Sequence, residues 1–276
     1  MSVRPRLGRL LASDGRCFDV AIDHGVFNTA EFLGGIEDMP RAVAAIRDAG
    51  PDAIQLTPGQ AALLQDAPGR DKPALVLRVD VANVYGPVPP PELFCELIGD
   101  PVEVALRLDA ACIVVFLLLV PGRTDLHRQC VVNLGRVKSA CERYGMPLMV
   151  EPIALRPGDR GFGVEGDTAV IAALVRQAVE LGADVIKADP TDVLDELPRV
   201  IEVAGGRPVL VRGGGRATEE EIFRRTEAVL RHGAAGIVYG RNVIQHSQPR
   251  AMTRAFLALV HGGATAEQAM AILRRG

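Results

Sequence analysis

The sequence predicts an α/β protein, a single-domain (β/α)8 TIM barrel covering residues 1–276. Three observations lead there. Eight short runs of apolar, largely β-branched residues recur along the chain. They alternate with longer amphipathic segments. The length, 276 residues, is one at which such barrels run as one domain.

The runs, in order, are CFDVAID (17–23), DAIQL (52–56), ALVLRVD (74–80), CIVVFLLLV (112–120), PLMVEP (147–152), ADVIKAD (183–189), PVLVRGG (208–214) and AGIVYG (235–240). Near-continuous apolar character is what a strand carries when both faces are covered, as in a parallel sheet. The segments between them include PRAVAAIRDAG, DLHRQCVVNLGRVKSACERYG, TAVIAALVRQAVELGA and TEEEIFRRTEAVLRHGA. The last two end in Gly-Ala just before the next strand, a C-cap signal. Thr218 and Glu221 have capping-box spacing at the start of the seventh helix. A doubly wound open sheet is the rival arrangement. No GxGxxG follows the first run, which removes the best argument for a dinucleotide-binding sheet.

Two stretches interrupt the rhythm: VANVYGPVPPPELFCELIGD (81–100) after the third strand, and IALRPGDRGFGVEG (153–166) after the fifth. Both follow strand ends, so they belong above the C-terminal face, where barrel active sites form. No domain boundary, internal repeat or low-complexity tract is visible.

Composition narrows the function classes. Apolar residues make up 48% and charged residues 24%, ordinary for a soluble globular chain. A net charge of −3 gives no reason to expect a nucleic-acid partner. The N-terminal MSVRPRLGRLLASDGR is basic but lacks an apolar core with a cleavage site. The longest apolar run, Cys112–Val120, falls short of the roughly 20 residues a membrane span needs, so no membrane partner is expected. Five scattered cysteines without a CxxC pair point to free thiols in a reducing compartment, and a cytoplasmic location is expected.

Of 31 basic residues only three are lysine: Lys72, Lys138 and Lys187. Lys187, in ADVIKAD, lies near the C-terminal end of the sixth strand. Burial opposes an ammonium and lowers its pKa. An uncharged amine attacks carbonyls, which arginine, always protonated, cannot do. The alternative is a structural salt bridge with Asp184 or Asp189. Asp23 ends the first strand in VAIDHG, where it could orient a hydroxyl, relay a proton or cap a turn. His24 beside it contacts substrate or packs at the strand end. Glu151 ends the fifth strand, one strand from Lys187, as a proton shuttle or a fixed counter-ion. Arg78 and Asp80, in LRVD, line the pocket or pair with each other. Tyr85 reaches towards the same region from the following loop.

Gly213-Gly214-Gly215 follows the seventh strand and Gly240-Arg241-Asn242 the eighth. Loops at these two places form the phosphate site of many barrels, and glycine lets backbone N–H groups approach an anion. Arg212 or Arg241 would add a charge-assisted contact. A metal site is not expected, because the five histidines are dispersed with no HxH or HxxxH pair. Absence of GxSxG disfavours a serine hydrolase.

Together Asp23-His24-Gly25, Lys187 in DVIKAD, the RGGG stretch and the GRN stretch resemble the archaeal-type class I aldolase family. That family includes archaeal fructose-bisphosphate aldolase, autoinducer-2 aldolase and aminodideoxyheptulosonate synthase, and is related to tagatose-bisphosphate aldolase. The match runs in order from about residue 17 to 247. The resemblance implies a Schiff base at Lys187, an acidic group at Asp23 and phosphate held by Gly213–Gly215 and Gly240–Asn242. It also implies a phosphorylated-sugar substrate, no cofactor, and a homo-oligomer. Members commonly carry a tyrosine proton donor near the end of the fifth strand. Here the region reads VEPIALRPG, and Glu151 is more similar to the glutamate of tagatose-bisphosphate-type aldolases. The alternatives are a transaldolase- or thiolase-like transferase using the same lysine, and a non-catalytic phosphate-binding barrel.

Overall fold

The computed structural model describes residues 2–69, 71–86, 88, 90–158 and 161–276. Eight parallel strands form the frame: β1 (Cys17–Ala21), β2 (Ala53–Leu56), β3 (Ala74–Arg78), β4 (Cys112–Leu119), β5 (Leu148–Pro157), β6 (Val185–Ala188), β7 (Val209–Arg212) and β8 (Gly236–Tyr239). Each pairs with its neighbours in chain order, and β8 pairs with β1, so the sheet closes. This is the (β/α)8 barrel that the alternating pattern predicts.

Strand periodicity of two decides which side chains enter the barrel. Cys17, Ala21, Ala53, Ala74, Val76, Cys112, Val114, Met149, Val185, Leu210 and Val238 form one inner apolar cluster. Residues of opposite parity, such as Phe18, Val20, Ile54, Leu75, Ile113 and Ile186, pack outward in the larger core beneath the helices. Leu7, Leu10 and Leu11, in and just after the N-terminal helix Arg4–Leu10, join the inner cluster and close the lower mouth. The polar members of the inward set are Asp19, Gln55, Arg78, Glu151, Lys187 and Arg212. Gln55, Arg78, Lys187 and Arg212 lie at or within one residue of the C-terminal ends of their strands, whereas β5 runs on for six residues beyond Glu151.

The expected helix signals are realised. Thr218 Oγ1 accepts from the Glu221 N–H, and Glu221 Oε2 accepts from the Thr218 N–H, at the start of the helix Glu219–Arg231. Gly182 and Gly233, after the helices Thr168–Glu180 and Glu219–Arg231, have φ of +93° and +100°, conformations costly for any residue with a Cβ. The two interruptions hold structure that the sequence pattern does not reveal. Asp80–Ala82 pairs antiparallel with Cys95–Leu97. β5 continues past Pro152 because Phe162–Val164 folds back antiparallel on it, with Leu155 opposite Val164. Pro87, Pro89, Asp159 and Arg160, within these stretches, lie outside the described residues. Among the described residues no helix is long and apolar enough to cross a membrane. All five cysteines are free and buried.

Candidate active site

Lys187 Nζ sits inside the barrel, 5% exposed, 3.1 Å from Glu151 Oε2 and 3.2 Å from Gln55 Oε1. The expected alternative partners are engaged elsewhere. Asp184 accepts from the Leu148 N–H, and Asp189 pairs with Arg212 at 3.1 Å. The carboxylate beside the amine is therefore the one on the neighbouring strand β5.

Arg78 organises the floor of the site. Its Nε donates to Asp23 Oδ2 at 2.9 Å, its Nη1 to Asp80 Oδ1 at 3.0 Å, and its Nη2 to Glu151 Oε2. The guanidinium lies 4.1 Å from the centroid of Phe116. A planar five-donor fork suits this convergence in a way an ammonium does not. Gln55 completes the bridge, donating to Asp23 Oδ2 at 2.5 Å while accepting from Lys187.

The charges set the protonation states. Burial alone would raise Asp23, but Arg78 and then Lys187 outweigh it, and its carboxyl is held down at about 2. Burial opposes ionisation of Glu151 too, yet Lys187, Arg78 and Arg212 hold it below the usual carboxylate range. Both residues are anions near neutral pH, suited to orient a hydroxyl, accept a proton or balance a cation. Burial, reinforced by Arg241 and Lys187 against the pull of Asp23, lowers His24 to about 4. Its imidazole is thus neutral, and its Nε2 has no hydrogen-bond partner among the described residues.

A cavity opens over this cluster, and Asp23, His24, Arg78, Glu151, Lys187, Arg212, Gly213, Gly214, Gly240 and Arg241 all line it. Two expected residues do not. Asp80 is fully buried behind Arg78, its Oδ2 accepting from the Phe116 N–H at 2.6 Å, so it anchors the arginine instead of meeting substrate. Gly215 is exposed and outside the lining, its carbonyl accepting from Asn242 Nδ2. Arg212 lines the cavity but is committed to carboxylates, Asp189 at 3.1 Å and Glu151 at 3.4 Å, and not to the glycine loops.

Gln55, Phe27, Phe32 and Phe116 were missed by sequence reasoning, and Tyr85 was left unplaced. Gln55 had a signal, since a glutamine inside AIQL is a polar residue in a buried strand. Phe27 and Phe32, in the loop after β1, had none. With Phe116 and Tyr85 they form an aromatic wall, Phe27 to Tyr85 being 4.8 Å and Phe32 to Tyr85 5.5 Å between centroids.

The glycine loops are held from behind. Gly213 and Gly215 carbonyls accept from Asn242 Nδ2, the Gly213 carbonyl also from Arg225, and the Gly214 carbonyl from Arg241 Nη2 at 3.1 Å. In a trans peptide the next residue's N–H points the opposite way, so the N–H groups of Gly214, Gly215 and Arg216 face away from these donors. The Gly213 N–H, in contrast, donates to the Val238 carbonyl. A Cβ on Gly240 would stand 2.6 Å from the Ala21 carbonyl oxygen, so only glycine fits there. Arg241 stacks over Phe32 at 4.8 Å and has no ion pair among the described residues. Burial, with Arg212 nearby, lowers its pKa.

The model of the DeoC/LacD family aldolases matches residues 17–246. The chain belongs to this family. Among its relatives are the fructose-bisphosphate aldolase class 1 of Thermoproteus tenax, 31% identical over 92% of this chain and 93% of that one. Another is the 2-amino-3,7-dideoxy-D-threo-hept-6-ulosonate synthase of Halobacterium salinarum, 30% identical over 96% and 94%. A solved archaeal fructose-1,6-bisphosphate aldolase, with its catalytic lysine covalently bound to the carbinolamine intermediate, is 26% identical, with a TM-score of 0.75 over 94% of this chain and 99% of that one. The DeoC/LacD relatives are class I, Schiff-base aldolases, carbon–carbon lyases. Membership makes this barrel an enzyme of that class and sets aside the non-catalytic alternative.

Proposed function

We propose that this aldolase cleaves or forms a C–C bond in a phosphorylated ketose, with Lys187 as the Schiff-base residue. The observation that carries the reading is a single amine lining the cavity, hydrogen-bonded to Gln55 and facing a carboxylate at 3.1 Å. Glu151 takes the proton that the ammonium must lose before attack. The uncharged amine adds to the ketone carbon, the carbonyl oxygen leaves as water, and a protonated imine remains. A carboxylate, Asp23 or Glu151, removes the proton from the hydroxyl next to the scissile bond. The C–C electron pair then moves to the imine nitrogen, an aldehyde departs, and the enamine is protonated and hydrolysed. Both carboxylates are held as anions, which fits them as acceptors and leaves the donor role to another group. Of the chain's three tyrosines only Tyr85 lines the cavity.

The phosphate assignment rests on Arg241, a cavity-lining cation with no ion pair among the described residues, with Gly214 and Gly240 lining the cavity beside it. His24 and Arg78 complete the polar contacts to the sugar. Borohydride reduction in the presence of fructose 1,6-bisphosphate, dihydroxyacetone phosphate and other phosphorylated ketoses should fix a mass adduct on Lys187. Trapping at another residue, or none with any ketose, refutes the reading.

A second reading has one observation in its favour, the relative named as a synthase at 30% identity. There the enamine is captured by a different acceptor, a transfer instead of a simple cleavage. Product analysis with paired donors and acceptors separates the two. A cytoplasmic homo-oligomer completes the proposal. Phe94 and Val132, exposed and sharing one surface groove, form a face that a second copy would cover, and buried free thiols suit a reducing compartment.

A further inference from the structure

One ionisable group inside the barrel takes no part in this scheme. Asp19, on β1, is wholly buried, and neither carboxylate oxygen has a hydrogen-bond partner among the described residues. It lies one inward step below Ala21, a cavity-lining residue, and its strand neighbours in register are Ala53 and Val238 of the inner apolar cluster. Buried carboxyls are ordinarily paired or hydrogen-bonded, so an orphan here calls for a reason. The groups that face it are few. Lys187, Asp23, Glu151 and Arg78, all lining the cavity, act on it electrostatically, and it acts in turn on the thiols of Cys17, one inward step further down β1, and Cys112 of the inner apolar cluster.

We propose that Asp19 is a positioning residue for Lys187: a carboxyl sealed beneath the site whose charge governs how readily the lysine nitrogen sheds its own. The proposal rests on Lys187 being the Schiff-base residue. Hydrogen-bonded partners fix the charge of Asp23 and Glu151, but none of the described residues hydrogen-bonds to Asp19, so its ionisation answers mainly to burial and to the charged groups of the cavity. Burial raises its carboxyl to about 7, with Lys187 the first opposing influence. Linkage is reciprocal. If the cationic lysine favours the Asp19 anion, the anion favours the cationic lysine. While Asp19 keeps its proton, the amine becomes uncharged at lower pH and attacks a ketone sooner. Once Asp19 ionises, it holds the nitrogen as ammonium before attack and balances the protonated imine afterwards.

The test is the pH profile of imine trapping by borohydride with a phosphorylated ketose that the wild-type enzyme traps. Asp19→Asn keeps the shape and removes the charge. The wild-type initial trapping rate should carry an inflection near neutral pH that Asp19→Asn lacks. Above neutrality the variant should trap faster, by roughly tenfold for each unit by which the amine's titration moves down. Well below neutrality, where Asp19 is protonated, the two should coincide. Asp19→Leu, with no orphan polar atom, repeats the measurement should the amide fold poorly. Superposable profiles in folded variants overturn the proposal, because a purely structural Asp19 would move the Tm and leave the profile alone. Absence of trapping in the wild type would instead refute the assignment of Lys187.

Discussion

Arg78 concentrates more interactions than any other side chain of the site, and its removal makes a quantitative test. In Arg78→Met the side chain keeps much of its length and its contact with Phe116 but loses its charge. Asp23, Asp80 and Glu151 are then left buried beside one another without their shared cation. Breaking a buried ion pair by removing one partner costs about 3–5 kcal/mol. Asp23 alone accounts for a large part. Its carboxyl is held at about 2 against an ordinary 3.8, a depression worth roughly 2 kcal/mol at neutral pH, with Arg78 the strongest lowering influence. The sign follows from the depressed value: this stability is present above pH 3.8 and is lost as pH falls through 2. In the variant the three carboxyls take up protons more readily, so the deficit should shrink on acidification. Urea unfolding at pH 7 and pH 4.5 measures it. The variant should be less stable by about 3–5 kcal/mol at pH 7 and by roughly half as much at pH 4.5. An equal deficit at both values would mean that lost packing, not unpaired charge, is responsible, and would refute the electrostatic account.

Lys187→Arg keeps a cation beside Glu151 and Gln55 but cannot form an imine; aldol turnover should fall by on the order of 10⁴-fold or more with no borohydride adduct, while near-normal turnover in a steady-state assay would end the Schiff-base proposal. Arg241→Met removes a cavity-lining cation that has no ion pair among the described residues, so KM for a phosphorylated ketose should rise roughly tenfold to a hundredfold with kcat changed far less. If KM holds, phosphate is bound elsewhere. His24 is held at about 4 against 6.5, so the folded state takes up its proton later than the unfolded chain, and it contributes stability that is lost as pH falls from about 6.5 to 4, about 3 kcal/mol in all. Asp19, raised to about 7 from 3.8, works in the opposite sense and loses stability as pH rises through that window. Over the shared window these two contributions to the wild-type curve offset each other. His24→Gln should tilt it, its stability falling as pH rises; a curve parallel to the wild type would refute the assignment of a neutral histidine.

The barrel was legible because its signals are local and repeated. Eight apolar runs, Gly182 and Gly233 at helix ends, and the Thr218–Glu221 box each follow from the bonding needs of their own segment. The site residues at strand ends were legible for the same reason. A lysine or glutamate at the C-terminal end of an apolar strand has an inward parity fixed by the strand's period of two. Asp23, Glu151, Lys187, Gly240 and Arg241 accordingly all reach one cavity. Pairing across strands was not legible. Nothing in the sequence distinguishes Glu151 from Asp184 or Asp189 as the partner of Lys187, or assigns Arg78 to three carboxylates, or sends Asp80 behind it. Those choices depend on closure of the barrel, which brings the upper ends of β2, β3, β5 and β6 around one cavity. The aromatic wall of Phe27, Phe32, Tyr85 and Phe116 arises the same way, from two loops and a strand that are distant in the chain. So the sequence by itself determined the architecture and the inventory of chemical groups, because helix, strand and turn preferences act over a few residues. Only the tertiary structure decided which of those groups carry charge and which neighbour each one answers to, because burial and Coulomb attraction act through space between residues far apart in the chain, as Asp23 and Lys187 are.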